Sequence, residues 1–560
     1  MFQNEKIIEI KTCKQCNSSF EITDRDLEFY EKVSPIFGGK KYLISPPTLC
    51  PDCRQQRRLC FINVGNLYKS GNIVSPYSPD KLYNVVSQKN WFSLKIDGKD
   101  FGIDFDFNKS FFTQFNELQK IAPRWDRISE NCENCEWSLN IANSKNCYLV
   151  KSSIGCENCY YSSELRGENY YLLDCYKINN GNIGYEVISS NSFSNIFWSE
   201  KVENCNYGIF LYECENCNYC IGCVGLKNKK YFVLNKEVSK NEYENIYNKI
   251  FINKIFKNDL LNRFNILKNS YPRLSLKLLN NQDCIGDEIY NSKNIFNGFF
   301  VNNSSDCKFI DSCSECNFCC DSSQPDFVEK CYELSSTYKI YNSSFCFNTL
   351  DANNCYYCET CGYIENCFGC VGLNRAKYCI LNKQYSKEEY ETLVPKIIEH
   401  MISTGEWGEF FPSSISPFGY NETIAQEYFP ISRDKALPYL YNWSTYEPPF
   451  PKVDKIIPAN KLPEDITQIP DDILNRAIEC EITKKPFRII KQELEFYRKH
   501  NLPIPKRHPD QRHLDRMSLR NPRKLFARIC DKCGKDIKTT YSPKRPEIVY
   551  CEECYNKEVY

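Results

Sequence analysis

A three-residue phrase centred on cysteine recurs through the middle of the chain and limits what that middle can be. Asn-Cys-Tyr stands at 146–148, 158–160 and 354–356, Asp-Cys-Tyr at 174–176, and Asn-Cys-Asn at 204–206 and 216–218. Between the phrases lie short apolar runs bounded by Asn, Ser, Asp and Gly, too short for helices and flanked by turn formers. Spacings of 12 and 16 residues without an internal proline fit successive coils of a parallel β-helix. Cys is small enough to stack inside such coils, and Asn can hydrogen-bond to Asn in the next coil. The rival reading is a string of small metal knuckles. Of the 35 cysteines in the 560 residues, 25 fall between Cys132 and Cys379, and 41 of the 57 asparagines lie between Asn131 and Asn382.

Two internal duplications organise the rest. The segment from Cys220 (CIGCVGLKNKKYFVLNKEVSKNEY) matches that from Cys367 (CFGCVGLNRAKYCILNKQYSKEEY) at 15 of 24 positions, at a fixed offset of 147. Each copy ends in Ser-x-x-Glu, at Ser239 and Ser386, a capping-box pattern that predicts a helix after it, over about 239–269 and 386–403. The body is thus expected as two half-bodies, each closed by a helix. The second duplication links the chain ends. CKQCNSSFEITDRDLEFY from Cys13 resembles CEITKKPFRIIKQELEFY from Cys480, with matching Pro, Asp, Arg, Asn and Leu positions downstream of Cys50 and His508. YSPDKLYNVVSQKNW from Tyr77 matches YSPKRPEIVYCEECY from Tyr541, so both ends carry the same two-module unit in the same order.

Cysteine spacing places the metal sites. Cys530, Cys533, Cys551 and Cys554 form two C-x2-C pairs 17 residues apart, the pattern of a closed four-thiolate zinc ribbon. Cys13, Cys16, Cys50 and Cys53 repeat it across 33 residues, with a helix predicted over 24–32, which suits a treble-clef-like module. Two such sites imply about two Zn2+ per chain, structural because four thiolates leave no open position. The duplicated partners are degenerate. Thr483 and Gln511 replace ligands in the tail copy, leaving Cys480, His508 and His513 as a weak metal set; Ser87 and Asn90 stand where the head ribbon's second pair belongs. Cys214, Cys217, Cys220 and Cys223 suggest an iron–sulfur run, but no Pro follows it and the 147-offset copy has Ile364 opposite Cys217. Cys313, Cys316, Cys319 and Cys320 form a second near miss.

Lys+Arg and Asp+Glu are both 71, yet the charge is segregated: from Cys480 to Arg528 there are 14 basic and five acidic residues. Arg54, Arg57 and Arg58 follow the head's second knuckle, and Arg512, Arg516, Arg520 and Arg523 follow the matching tail position. Arginines at a helix start suit phosphate, which predicts DNA or RNA binding. The alternative is that the basic ends dock on the acidic body or on an acidic protein partner. No Walker A loop, G-x-S-x-G, H-E-x-x-H or dinucleotide fingerprint is present. The first residues show no secretory-leader pattern and no apolar run approaches a membrane span, so a cytoplasmic protein without membrane contact is expected.

CPDCRQQRRL, SPFGYNETIAQEYFP (416–430) and the closing VYCEECYNKEVY resemble large zinc-ribbon-containing proteins of ultrasmall candidate-phylum bacteria. The resemblance covers most of the chain and implies zinc and this architecture, with no activity attached. Members usually carry fuller ligand sets where this chain has Thr483, Gln511, Ser87 and Asn90.

The expected fold is multidomain and mainly β. A zinc-binding head (1–92, treble-clef-like module plus degenerate ribbon) and connector (93–130) precede two β-solenoid halves, each with its helix (131–280, 281–411). A strap with ten prolines (412–470), a degenerate basic treble-clef-like module (471–528) and a zinc ribbon (529–560) follow. The function expected is non-enzymatic: a structural-zinc protein binding nucleic acid through basic module helices. The alternatives are a protein-interaction scaffold, or a nucleic-acid-processing or β-helix-type enzyme.

Overall fold

A computed structural model describes residues 5–314, 326–329, 331–333, 338–450 and 452–559. It is mainly β, with twelve α-helices among the described residues. Two 11-stranded sheets dominate, one from Ser129–Glu130 to Lys236–Glu237 and one from Leu278–Leu279 to Lys383–Gln384.

Within each sheet all but the closing strands run parallel, and most pair with a residue 12 further on. Ser194 pairs with Asn206, Asn206 with Asn218 and Asn218 with Lys230. In the second sheet Tyr338 pairs with Leu350, and Leu350 with Gly362. The pairing recurs at several points of one repeat, since Asn191 also bridges Glu203 and Glu200 bridges Tyr212. In the first sheet one repeat is longer by a residue, with Ser163 opposite Tyr176, and the second sheet opens on one shorter by a residue, with Leu278 opposite Ile289.

The backbone explains the composition. Over long stretches every third residue has a positive φ, as at Asn204, Tyr207, Phe210, Glu213, Asn216 and Tyr219. Asn tolerates this left-handed conformation best among residues with a Cβ, which favours it at these corners. Corner asparagines also bond between repeats, Asn131 to Asn143 at 3.1 Å and Asn134 to Asn146 at 3.0 Å.

The residue after most corners is buried. Cys205, Leu211, Cys214, Cys217, Cys220 and Cys223 occupy such positions and pack with Ile196 and Leu172 in one apolar cluster. The sulfurs follow a rule: Cys217 contacts the carbonyls of Glu215 and Leu226, both at 3.3 Å, and Cys223 those of Ile221 (3.3 Å) and Phe232 (3.5 Å). A carbonyl oxygen only accepts, so each contact calls for a protonated thiol. Serine does the same work at equivalent positions: Ser144 donates to Ala142 O at 2.8 Å and accepts from Cys156 N at 3.2 Å. Inward Cys and Ser therefore tie one repeat to the next. This accounts for the Cys214–Cys217–Cys220–Cys223 run without a cluster; Cys316, Cys319 and Cys320 lie outside the described residues.

The 147-offset duplication proves to be the terminal repeat of each sheet. Lys230–Val233 and Lys377–Ile380 fold back antiparallel on Lys236–Glu237 and Lys383–Gln384. Asn235 and Asn382 complete these turns, closing on Val224 and Val371 through both amide groups. Ser239 and Ser386 then cap helices, the reciprocal Glu bond forming only at Ser386. The first helical segment differs from the single helix expected. It is two helices, Lys240–Ile252 and Lys254–Ser270, because Asn253 leaves helical geometry and caps the second.

Cys361 should discriminate between size and hydrogen bonding at the inward positions. It is fully buried, contacts Glu359 O at 3.2 Å and Cys370 O at 3.5 Å, and accepts from Leu373 N at 3.4 Å. Cys361→Leu is expected to cost about 1–3 kcal/mol by overpacking, whereas Cys361→Ser keeps the same bonds and costs about 1 kcal/mol or less. Urea unfolding midpoints of the two variants check this.

Candidate metal centres and the basic end units

Each four-cysteine site is built by a hairpin and a helix. Ile7–Thr12 and Ser19–Thr23 form the head hairpin, with Cys13 and Cys16 at its turn, and Cys50 and Cys53 open the helix Pro51–Leu59. In the tail the hairpin is Phe526–Ile529 with Asp536–Thr539, and Cys551 and Cys554 lie at the start of Glu552–Val559. A ribbon would carry its second pair on another hairpin. The tail differs from that expectation and shares the head's plan, because the chain turns helical directly after Cys551.

The turns superpose bond for bond. Cys13 N donates to Ser18 O, Cys480 N to Lys485 O and Cys530 N to Lys535 O, at 2.9, 3.0 and 2.8 Å. Asn17, Lys484 and Gly534 take the left-handed conformation and return a bond to the first cysteine's carbonyl. The residue after that cysteine donates across to Thr48, Lys506 or Val549, two positions before Cys50, His508 or Cys551. The degenerate copies thus keep the fold without the ligands. In the fourth copy Ser87 takes the place of the helix-opening cysteine and caps Gln88–Phe92 through Asn90 N.

In both complete sites the four sulfurs lie within 4.8 Å of one another, three buried and one exposed. Cys16 Sγ and Cys50 Sγ are 3.6 Å apart, and Cys533 Sγ and Cys551 Sγ 3.8 Å. Four thiolates around a zinc at about 2.3 Å would have edges of about 3.8 Å, so both sets fit a tetrahedral ion. The thiol of Cys53, hydrogen-bonded to Cys50, draws the Cys50 pKa down to about 5, and the same bond pushes Cys53 up. At Cys530 burial acts upward, but the N–H groups of Cys551 and Cys533 outweigh it and bring the thiol to about 6.

Cys480 accepts from the His508 backbone N–H, but the two do not join His513 in a metal-binding group. Among the described residues only the two cysteine quartets group as metal-binding sets. His508 Nδ1 accepts from Asp510 N and caps its own helix, while His513 Nε2 meets Glu427 Oε1 at 3.0 Å. Lacking the second knuckle cysteine, this module is held by packing: Leu494, Phe496 and Tyr497 bury against Tyr185 and Phe197 of the body.

The arginines expected to face phosphate face the body instead. Arg512 and Arg516 both pair with Asp174, the second at 2.7 Å, and Arg512 also meets Glu493 at 3.2 Å. Arg523 pairs with Asp311, and Arg520 with Glu427 at 3.4 Å. In the head, Arg57 pairs with Glu333 at 2.7 Å and Glu409 at 3.2 Å. Arg54 is buried, donating to Leu49 O and lying over the Phe309 ring, and Arg58 is fully buried. None of the seven side chains is an exposed cation. Burial pushes Glu493 up, and the Arg512 charge opposes it.

The docking is crossed. The head's buried pairs reach the second sheet, where Lys308 also meets Asp26 at 2.9 Å and Trp91 Nε1 donates to Gly372 O at 3.0 Å. The module 480–518 docks on the first sheet at Asp174, and the tail then reaches back to the second through Arg523 and through Thr540 to Asp287. Two short parallel pairings add to this: Val85–Val86 with Arg124–Trp125, and Val549–Tyr550 with Arg273–Leu274. Arg124 in turn forms a fully buried pair with Glu359.

Charge counting located the basic surface but missed its acceptors. The available signal was Asp174 itself, standing in an Asp-Cys-Tyr phrase where the other two copies in the same half have Asn. Asp104 and Asp106, an alternating pair in the sequence, do not converge: Asp104 binds Lys383 and Asp106 holds Asn108. Among the described residues no helix is long and apolar enough to cross a membrane. No protein-family model, curated protein or solved structure matches the chain.

Two outcomes follow for this arrangement. Cys530→Ser should remove one metal ion per chain and expose the tail to protease, whereas Cys480→Ser should leave metal content unchanged, by elemental analysis and limited proteolysis. Asp174→Asn strips two buried arginines of their shared carboxylate. It should cost about 3–5 kcal/mol in chemical unfolding and free the module 480–518 before the body melts.

Proposed function

We propose that the chain is a structural-zinc scaffold protein. A Cys/Asn-rich parallel β-solenoid in two halves forms the body, and treble-clef-like zinc units at both ends clamp it for presentation to protein partners. The ladder of 12-residue parallel pairings on several sides of each repeat supports the solenoid, and sulfur spacings near those of a tetrahedral thiolate site support zinc, about two ions per chain. The domain limits follow the same division, with the strap 412–470 running between body and tail.

One observation favours a scaffold over nucleic-acid binding: Arg57, Arg512, Arg516 and Arg523, among the arginines expected to meet phosphate, are spent on buried ion pairs with the body. A phosphate backbone would have to displace Asp174, Asp311 or Glu333 to reach them, losing pairs shielded from salt.

The test is fluorescence anisotropy with single- and double-stranded DNA and RNA at low salt, beside metal analysis of the same preparation. The scaffold reading expects about two zinc per chain and no salt-sensitive binding. Binding whose log–log salt slope falls by roughly one per arginine removed, among Arg512, Arg516, Arg520 and Arg523, would instead restore the nucleic-acid reading.

A further inference from the structure

The three cysteine turns share one hairpin register, and this makes their outer edges comparable. Lys11 pairs with Phe20, Ile478 with Phe487 and Arg528 with Ile537; each pair sits two residues before and seven after the first cysteine. In the module at 480 the hairpin is not two-stranded. The strap supplies a third strand, Ile456–Pro458, parallel to Ala477–Glu479 on the edge away from the hairpin partner. Ile456 lies opposite Ala477 and Ile457 opposite Ile478, and Ala477 N donates to Lys455 O at 3.0 Å.

The head has the same edge without that strand. Among the described residues Ile7–Thr12 pairs only with Ser19–Thr23. Ile10 occupies the position of Ala477. Since Cys13 N points to the hairpin partner, alternation turns Ile10 N–H outward, as Ala477 N–H is turned toward the strap. The edge is apolar as well as open: Ile7, Ile8 and Ile10 are 42%, 55% and 65% exposed. The strand carries Glu9 and Lys11 and a register irregularity between Ile7 and Glu9, but from Glu9 to Thr12 its pairing is regular and free of proline, which leaves the stretch around Ile10 as a template for strand addition.

We propose that the outer edge of Ile7–Thr12 is a docking site for an extended segment of a partner protein, added as a parallel strand carrying adjacent β-branched residues. The occupant's chemistry is given by the internal copy, in which Lys-Ile-Ile-Pro fills the equivalent edge. Main-chain bonds supply affinity, and the exposed Ile10 side chain offers apolar contact beside them. A single apolar strand on a two-stranded edge is a weak, exchangeable contact, as suits a scaffold; the inference deepens that reading and rests on it.

The probe is a fluorescein-labelled peptide of residues 453–460 (VDKIIPAN), titrated against the zinc-loaded full chain. Saturable binding is expected, weakened at least tenfold by Ile10→Pro, which removes the outward N–H and leaves the hairpin bonds in place. A peptide with proline in place of Ile457 should fail equally against the unaltered protein, which covers the case in which Ile10→Pro disturbs the hairpin. Ile266→Lys, on an exposed helix position elsewhere, should change nothing. Absence of peptide binding, or binding indifferent to both prolines, overturns the docking site while leaving the metal count and the nucleic-acid result, and so the scaffold reading, standing. A concentration-dependent dimer in sedimentation that Ile10→Pro abolishes overturns the proposed occupant in favour of a second copy of this chain.

Discussion

Buried charge can persist only where a partner is held in place, and the ends of this chain are arranged around that requirement. Asp174 sits fully buried at a corner of the repeat and accepts from Arg512 and Arg516; Glu359 accepts from Arg124. Desolvating one carboxylate costs several kcal/mol unless the guanidinium arrives with good geometry. The arginines arrive because their helices start at a fixed point. The cysteine turn and the crossing bond two residues before Cys50, His508 or Cys551 set where each helix begins. In the complete sites a metal ion would fix the same relation through four sulfurs. On the proposed reading, metal at the two cysteine quartets would hold those units rigid, as packing holds the module at 480, and so keep cations at buried acceptors.

The body meets a different constraint. Over long stretches every third residue has a positive φ and the residue after it is mostly buried, where its side chain meets backbone carbonyls. A side chain there must be small and able to donate one weak hydrogen bond to the same and the next repeat. Cysteine and serine satisfy both conditions, as Cys217 and Ser144 do. The abundance of thiols in the body is therefore a packing solution, distinct from the thiols at the ends, where sulfurs converge on one point.

Much of this was legible in the residues. The 12-residue spacing of Asn-Cys phrases, the 147-residue duplication and both cysteine quartets could all be read directly, because each rests on local spacing. The three-residue period of inward positions was also present, in Cys214, Cys217, Cys220 and Cys223, but the same spacing serves a metal knuckle, and only the backbone tells the two apart. What the residues could not give was the crossed docking. Arg512 and Asp174 are 338 positions apart, and no local pattern joins a basic helix to a particular acid on a distant repeat. Exposure was thus misjudged for all seven arginines, whose type and spacing suit phosphate as well as they suit a buried carboxylate. The tail helix Glu552–Val559 was hidden for a related reason: C-x2-C opens a hairpin or a helix equally well.

The central claim is that the cysteine units at the ends restrain the body they dock on. Hydrogen–deuterium exchange of the metal-loaded and metal-stripped full chain tests it most directly. If the units clamp the body, stripping the metal should raise exchange beyond the cysteine modules, at the faces the two metal-bearing units dock on: around Lys308 beneath the head, and at Arg273–Leu274 and Asp287 beneath the tail. Exchange that rises only within the modules around Cys13 and Cys530, with both body faces as protected as before, would contradict the account.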